Sequence, residues 1–201
     1  MGHYVLPVSP PSDKNRAIAI RWRDLLRGAG DVAVHAYYNE DETLRVDIFS
    51  AVDSPQPGVT TFATLGLSDY RNELADGTNV PTELIAVAAS GSDLPARTLA
   101  TMSFDHATPG IALRPGVVVQ GAISRNDPDA PLPHALLTSP FLWDDLQRVE
   151  VGDALVFPLL AVPVTNTEWR FAEIHGSEAL ESLFEDDQID IFDWGRPPIR
   201  S

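Results

Sequence analysis

Acid–base or nucleophilic chemistry needs convergent groups, and this sequence supplies few. Its five histidines, His3, His35, His106, His134 and His175, are scattered. There is no H-E-x-x-H and no pair at ligand spacing on an expected helix, so no metal site is expected. His35 on a strand and His175 at a helix end read as structural residues, the latter complementing the C-terminal dipole when protonated. Asp105 and His106 are adjacent, but sequence neighbours do not make a triad and no serine partner stands out. Ser68 in GLSDY lacks the G-x-S-x-G elbow, and Ser90 and Ser92 fall in a loop. GAGDVA, Gly28 to Ala33, fits the loose dinucleotide pattern G-x-G-x-x-A, yet it leaves a helix and opens a strand, the reverse of what that fingerprint requires. No G-x-x-x-x-G-K-[ST] phosphate loop is present. With no cysteine, thiolate catalysis, disulfides and cysteine-based zinc sites fall away together. The expectation is a protein that is not an enzyme and takes no cofactor.

The patterned charge is acidic. A formal net charge of −15 over 201 residues repels nucleic acid and anionic membrane and favours a basic ligand or protein. Glu178, Glu181 and Glu185 lie within about 60° of one another around a helix, opposite Leu180, Leu183 and Phe184. A solvated face fits this pattern. Yet Glu185, Asp186 and Asp187 stand at the helix's C-terminal end, where negative charge is unfavourable by a few tenths of a kcal/mol each, and Asp190 and Asp193 extend the same sign. Local stability does not account for that choice. The second reading makes Glu178, Glu181, Glu185, Asp186, Asp187 and Asp190 contacts for a basic partner.

The elements that carry these residues are marked locally. Ala154 to Val162 is almost wholly apolar, as in a strand covered on both faces in mid-sheet. The period then changes. Thr165 and Glu168 form a T-x-x-E capping box, with Val164 and Trp169 placed as a hydrophobic staple. A helix is predicted over Asn166 to His175, ended by Gly176 in the left-handed conformation, and a second helix follows at once.

Upstream, Pro7, Pro10 and Pro11 make residues 1–12 an extended arm. Asp13 is expected to cap an amphipathic helix over about Lys14 to Gly28, since Ile18, Trp22, Leu25 and Ala29 fall at helical spacing, with Gly28 and Gly30 as its exit. Val32 to Tyr38 and Leu44 to Ile48 alternate with period two around the polar turn Asn39 to Glu42, predicting a hairpin with one wetter face. Further strands are predicted at Val59 to Leu67, Glu83 to Ala89 and Val117 to Val119, with an extended segment at Ala135 to Leu142. A helix begins near Pro95. Without regular βαβα alternation, these elements predict an α/β (α+β) fold: a central mixed, mostly antiparallel sheet flanked by helices, in a single compact domain over 13–201. No run of about 18 apolar residues and no signal peptide is present, so a cytoplasmic protein is expected. Oligomeric state is left open.

TFATLGLSDY (Thr61 to Tyr70), ELIAVAA (Glu83 to Ala89), LPARTLATMSFD (Leu94 to Asp105), SPF at Ser139 and LVFPLLAVPVTNTEWRFAEIHGSEALESLFE with IFDWGRPPI resemble, in this order, the Suppressor of fused family. The resemblance implies an α/β domain that binds another protein instead of catalysing. In animal relatives such a domain is one lobe of a two-lobed clamp on a transcription-factor peptide. This chain ends at Ser201, soon after the first-lobe pattern, so clamp-type binding is not expected. Bacterial single-domain relatives are considered immunity proteins, and the acidic balance suits a basic toxin such as a nuclease. The alternative is a regulatory interaction module that binds a peptide by sheet-edge addition. Within the family motifs, Ser68 and Asp69 are expected to fix the loop after the third strand, and Asp193 and Arg196 to pair and close the C-terminus.

Overall fold

In the computed structural model, which describes residues 12–26, 28–107 and 112–199, the chain runs α1 (Asp13–Leu26), β1 (Val32–Tyr38), β2 (Arg45–Val52), β3 (Val59–Leu65), a 3-10 turn (Leu67–Asp69), β4 (Thr82–Ala89), α2 (Leu94–Ala107), β5 (Val118–Val119), β6 (His134–Thr138), β7 (Val149–Val151), β8 (Ala154–Val164), α3 (Asn166–His175) and α4 (Ser177–Asp186). The strands form one eight-stranded sheet in the order β1-β2-β3-β4-β8-β6-β5, with β7 paired to the start of β8. β4 and β8 run parallel, and the other pairings are antiparallel. This is the mixed, mostly antiparallel sheet flanked by helices that the sequence patterning predicts.

The near-continuous apolar run of β8 follows from its place between β4 and β6. On one face Leu159 and Ala161 pack with Leu84, Ala86, Leu99 and Met102 beneath α2. On the other Leu160, Val162 and Val164 join Trp22 of α1 and Leu180 and Phe184 of α4. Each such aliphatic side chain contributes about 1.5–3 kcal/mol on leaving water. α1 buries Ile18, Trp22 and Leu26 at i, i+4 and i+8, and the Trp22 Nε1–H donates to the Thr64 carbonyl at 2.9 Å.

Several local expectations shift. The cap of α1 is Ser12, whose Oγ accepts from the Asn15 N–H at 3.0 Å, so Asp13 is already helical; the rest of the expected arm lies outside the described residues. Gly28 serves close approach more than helix exit, since a Cβ there would stand 1.8 Å from the Asp53 carbonyl oxygen. β3 stops at Leu65 because Gly66 turns the chain at φ 97° into the 3-10 turn. The segment expected to extend to Leu142 leaves the sheet after Thr138. β1 is exposed along almost its whole length, because among the described residues it pairs only with β2, and α2, though it touches the strand, leaves all but Tyr37 exposed. β7 was not predicted; its signal was the Gly152–Asp153 turn, with Gly152 at φ 59°, joining V-E-V to the apolar run.

The junction after β8 carries the predicted capping box: Thr165 Oγ1 accepts from the Glu168 N–H at 3.1 Å, and Glu168 Oε2 from the Thr165 N–H at 2.9 Å. Glu168 does more than cap. The guanidinium of Arg196 forks onto its carboxylate at 2.7 and 2.9 Å, and the Ile199 N–H donates to it at 3.0 Å. The expected Asp193–Arg196 side-chain pair is therefore replaced by a longer-range one. Asp193 instead accepts from the Gly195 N–H at 2.8 Å, because its short side chain closes a local turn while Arg196 reaches inward.

Glu168 and Arg196 are 1% and 4% exposed. Burial pushes the Glu168 carboxyl up, but Arg196 and the Thr165 and Ile199 N–H groups outweigh it and leave it below the usual carboxylate range. Arg196→Met leaves a buried carboxylate without its counter-charge, and urea denaturation at neutral pH is expected to show a loss of about 3–5 kcal/mol. Because the folded pKa is depressed, the stability Glu168 contributes is present above its ordinary value of 4.5 and drains from the wild type as pH falls through the folded value.

Candidate functional site

Gly176 ends α3 by donating its N–H to the Ala172 carbonyl and opens α4 in the same step, at φ 90° and ψ 155°, an extended glycine conformation in place of the expected left-handed one. Glu178 in the first turn of α4 suits the positive end of the helix dipole. At the other end no basic residue answers Glu185 and Asp186. The helix stops in a Schellman motif, with the Ile189 N–H on the Phe184 carbonyl and the Gln188 N–H on the Glu185 carbonyl. Gln188 takes the left-handed position at φ 49° that glycine usually fills. The motif turns Ile189 back against α4.

α4 lies against the sheet through Leu180 and Phe184, and its acidic side forms one wall of a groove of about 600 Å³. Leu136, Val162, Phe184, Ile189 and Ile191 contribute apolar surface, and Thr138 and Phe141 stand on the β6 side. Phe141 is 56% exposed. Glu178, Glu181 and Glu185 all line the groove, whereas Asp186, Asp187 and Asp190 do not. Asp190 accepts from the Phe192 N–H at 2.9 Å.

The three glutamates differ in setting. Glu178 and Glu185 are exposed and Glu181 is half-buried. Burial pushes the Glu181 carboxyl up, as do the charges of Glu178 and Glu185, against a hydrogen bond from the Thr138 hydroxyl. The ion pairs of the described residues engage other carboxylates, such as Asp69, Asp47, Asp105 and Glu168, and none reaches these three. The sequence pattern placed the three glutamates on one helix face. It carried no signal for Thr138 or Phe141, which come from β6 and the loop after it.

The GLSD turn has a separate chemistry. Glu83, 0% exposed, accepts from Thr64 Oγ1 at 2.5 Å and from the N–H groups of Gly66, Leu67 and Ser68 at 3.0, 3.2 and 3.1 Å. Burial pushes its carboxyl up against these donors. The Ser68 carbonyl and the Asp69 carboxylate take the Lys14 ammonium at 2.9 and 2.8 Å, which ties the turn to α1. Glu83 was missed because a single acidic residue heading an apolar run gives no pattern. Asp105 is held bidentately by Arg125. Among the described residues no group of three or more histidines or carboxylates is placed to hold a metal ion, and no helix is long and apolar enough to cross a membrane.

The family model described as Suppressor of fused protein (SUFU) matches residues 42–197. The chain is 37% identical over 172 residues to the immunity protein YqcF of Bacillus subtilis (strain 168), covering 85% of this chain and 90% of that protein. Among solved structures it resembles a SUFU homologue from Neisseria gonorrhoeae, with TM-score 0.68, 16% identity and coverage of 92% and 94% of the two chains. It also resembles Drosophila Suppressor of Fused, with TM-score 0.51 and 15% identity, over 84% of this chain but 41% of that one. At such identities the structural likeness concerns the fold.

One consequence of the groove concerns stability alone. The folded Glu181 carboxyl lies above its ordinary value of 4.5, so its ionised form weakens the fold at neutral pH, and the penalty disappears as pH falls through the folded value. Glu181→Gln is expected to raise stability at neutral pH by about 0.5 kcal/mol, from two like-charge neighbours at i−3 and i+4. Urea denaturation checks this, and the gain should vanish at about pH 3, where the wild-type side chain is also neutral.

Proposed function

The chain belongs to the Suppressor of fused family, and from that premise we propose that it is an immunity protein, a domain that binds a cognate toxin and blocks it without catalysing a reaction. The observation that carries this reading is its 37% identity with a bacterial immunity protein over 172 residues, 85% of this chain. The net charge of −15 favours a basic toxin, such as a nuclease, whose own substrate is anionic. In that reading Glu178, Glu181, Glu185, Asp186, Asp187 and Asp190 form the contact surface, and binding takes place in the cytoplasm, where the toxin would act.

A second reading has its own observation. Among the described residues β1 pairs on one side only, with β2, and all of its residues but Tyr37 are exposed, so an extended peptide has room to add a strand at that edge as to a regulatory module. Co-expression with the protein encoded beside this gene separates the readings. An immunity protein is expected to restore growth and to co-purify with that neighbour, and its binding is expected to weaken at least about tenfold between low and high salt, because a contact through exposed carboxylates is screened. Strand addition would be nearly indifferent to salt. Unchanged toxicity together with no complex would sink the immunity reading.

A further inference from the structure

The groove beside α4 joins two features that a solvated acidic face does not need. Its apolar surface, from Leu136, Val162, Phe184, Ile189 and Ile191, runs out to a phenyl ring, Phe141, left 56% exposed. Its polar wall holds three carboxylates, and the described lining residues include no arginine, lysine or histidine. Glu181 sits where the two meet, half-buried and held by the Thr138 hydroxyl. A carboxylate in that position loses hydration without gaining a counter-ion. The volume, about 600 Å³, is that of a cleft built to enclose side chains.

The walls are also fixed in advance. Phe184 lies under the Arg196 guanidinium, 5.2 Å from ring centre to Cζ. The segment bearing Ile189 and Ile191 continues into Phe192, whose carbonyl accepts from the Ala89 N–H at 2.9 Å, and Trp194, whose Nε1–H donates to the Val87 carbonyl at 2.8 Å. Binding there would need little reordering, which favours affinity.

We propose that this groove is the anchor site for a protein partner, and that its occupant is a polypeptide segment presenting a large apolar side chain next to an arginine or lysine. The apolar residue lies between Phe141 and the Ile189–Ile191 segment. The cation reaches Glu181 between Glu178 and Glu185. Charge complementarity selects this occupant: an acidic or purely apolar segment would leave the three carboxylates unpaired in a partly dehydrated wall. The immunity reading enters only in identifying which partner carries the segment.

Two measurements keep the groove and the toxin separate. In the first, the isotope-labelled protein is titrated with N-acetyl-leucyl-arginine amide and, in parallel, with N-acetyl-leucyl-glutamate amide. Shifts centred on Thr138, Phe141, Glu181 and Ile189 with the arginine probe, at least about tenfold stronger than with the glutamate probe and abolished in Glu181→Gln, are the expected result. Equal response to both probes, or shifts away from the groove, overturns the proposal. In the second, Phe141→Ala and Glu181→Lys are tested for capture of the neighbouring toxin. Loss of capture by at least about tenfold supports the groove as anchor. Capture by both variants at the wild-type level overturns it while leaving the immunity reading intact. A groove that takes the arginine probe in a protein that captures no toxin keeps the anchor and discards the immunity reading.

Discussion

The carboxylate of Glu168 decides how the last third of this chain is assembled. It accepts from the N–H of Thr165 at the end of β8, from both arms of Arg196 and from the N–H of Ile199. Strand end, helix start and C-terminal segment thus converge on one buried group. Arg196 spends its remaining donor capacity on the carbonyls of Pro163 and Pro197, so neither charge of the pair is left half-satisfied. A buried pair of this kind contributes little net stability compared with a hydrophobic equivalent, but removal of either member is costly. Its effect is to choose one arrangement: the C-terminal segment has one place to go, and by going there it covers Phe184 and seats Phe192 and Trp194 against β4.

The protein neutralises its two most buried acids by different means, and the contrast separates scaffold from surface. Glu168 meets a guanidinium. Glu83 meets a hydroxyl and three backbone N–H groups from the turn that opens at Gly66, so a neutral cradle of aligned dipoles replaces a counter-charge. Both carboxylates are fully hydrogen-bonded, but only the guanidinium outweighs the cost of burial, and Glu83 stays above the usual carboxylate range; the two fix a turn after β3 and a helix after β8. The carboxylates of α4 have no comparable arrangement. Within one chain, acids that hold the fold together are fully partnered, whereas those lining the groove are not.

Legibility in the sequence followed the range of the interaction. The capping box at Thr165 and Glu168 was readable because its two members are three residues apart and their geometry is set by one helical turn. The central position of β8 was readable because burial on both faces removes the polar alternation. Arg196 as the partner of Glu168, 28 residues away, was not: proximity in sequence favoured Asp193, and only the return of the chain past α4 decides otherwise. The three-residue β7 is too short to show a period, although the Gly152–Asp153 turn announced a hairpin. The groove was half legible. Its acidic wall is one face of one helix, while its other lip is built by Thr138 and Phe141, forty residues earlier, and no periodicity links them.

This division bears on why the acidic face lies where it does. A protein needing only solubility could have distributed its negative charge over exposed loops, where each carboxylate keeps its water. Instead three carboxylates flank apolar surface, one of them, Glu181, partly dehydrated and another, Glu185, at the unfavourable end of the helix dipole, and the helix closes on a left-handed glutamine that itself costs about 1 kcal/mol relative to glycine's ease there. Each of these choices lowers the stability of the isolated domain slightly, and all of them act on the same 600 Å³ groove. The scaffold beneath is over-determined by the Glu168 and Glu83 cradles, so it tolerates the loss. On the anchor-site proposal, a cationic partner would recover on binding the electrostatic energy that concentrated unpaired charge on a rigid support makes the free domain forgo.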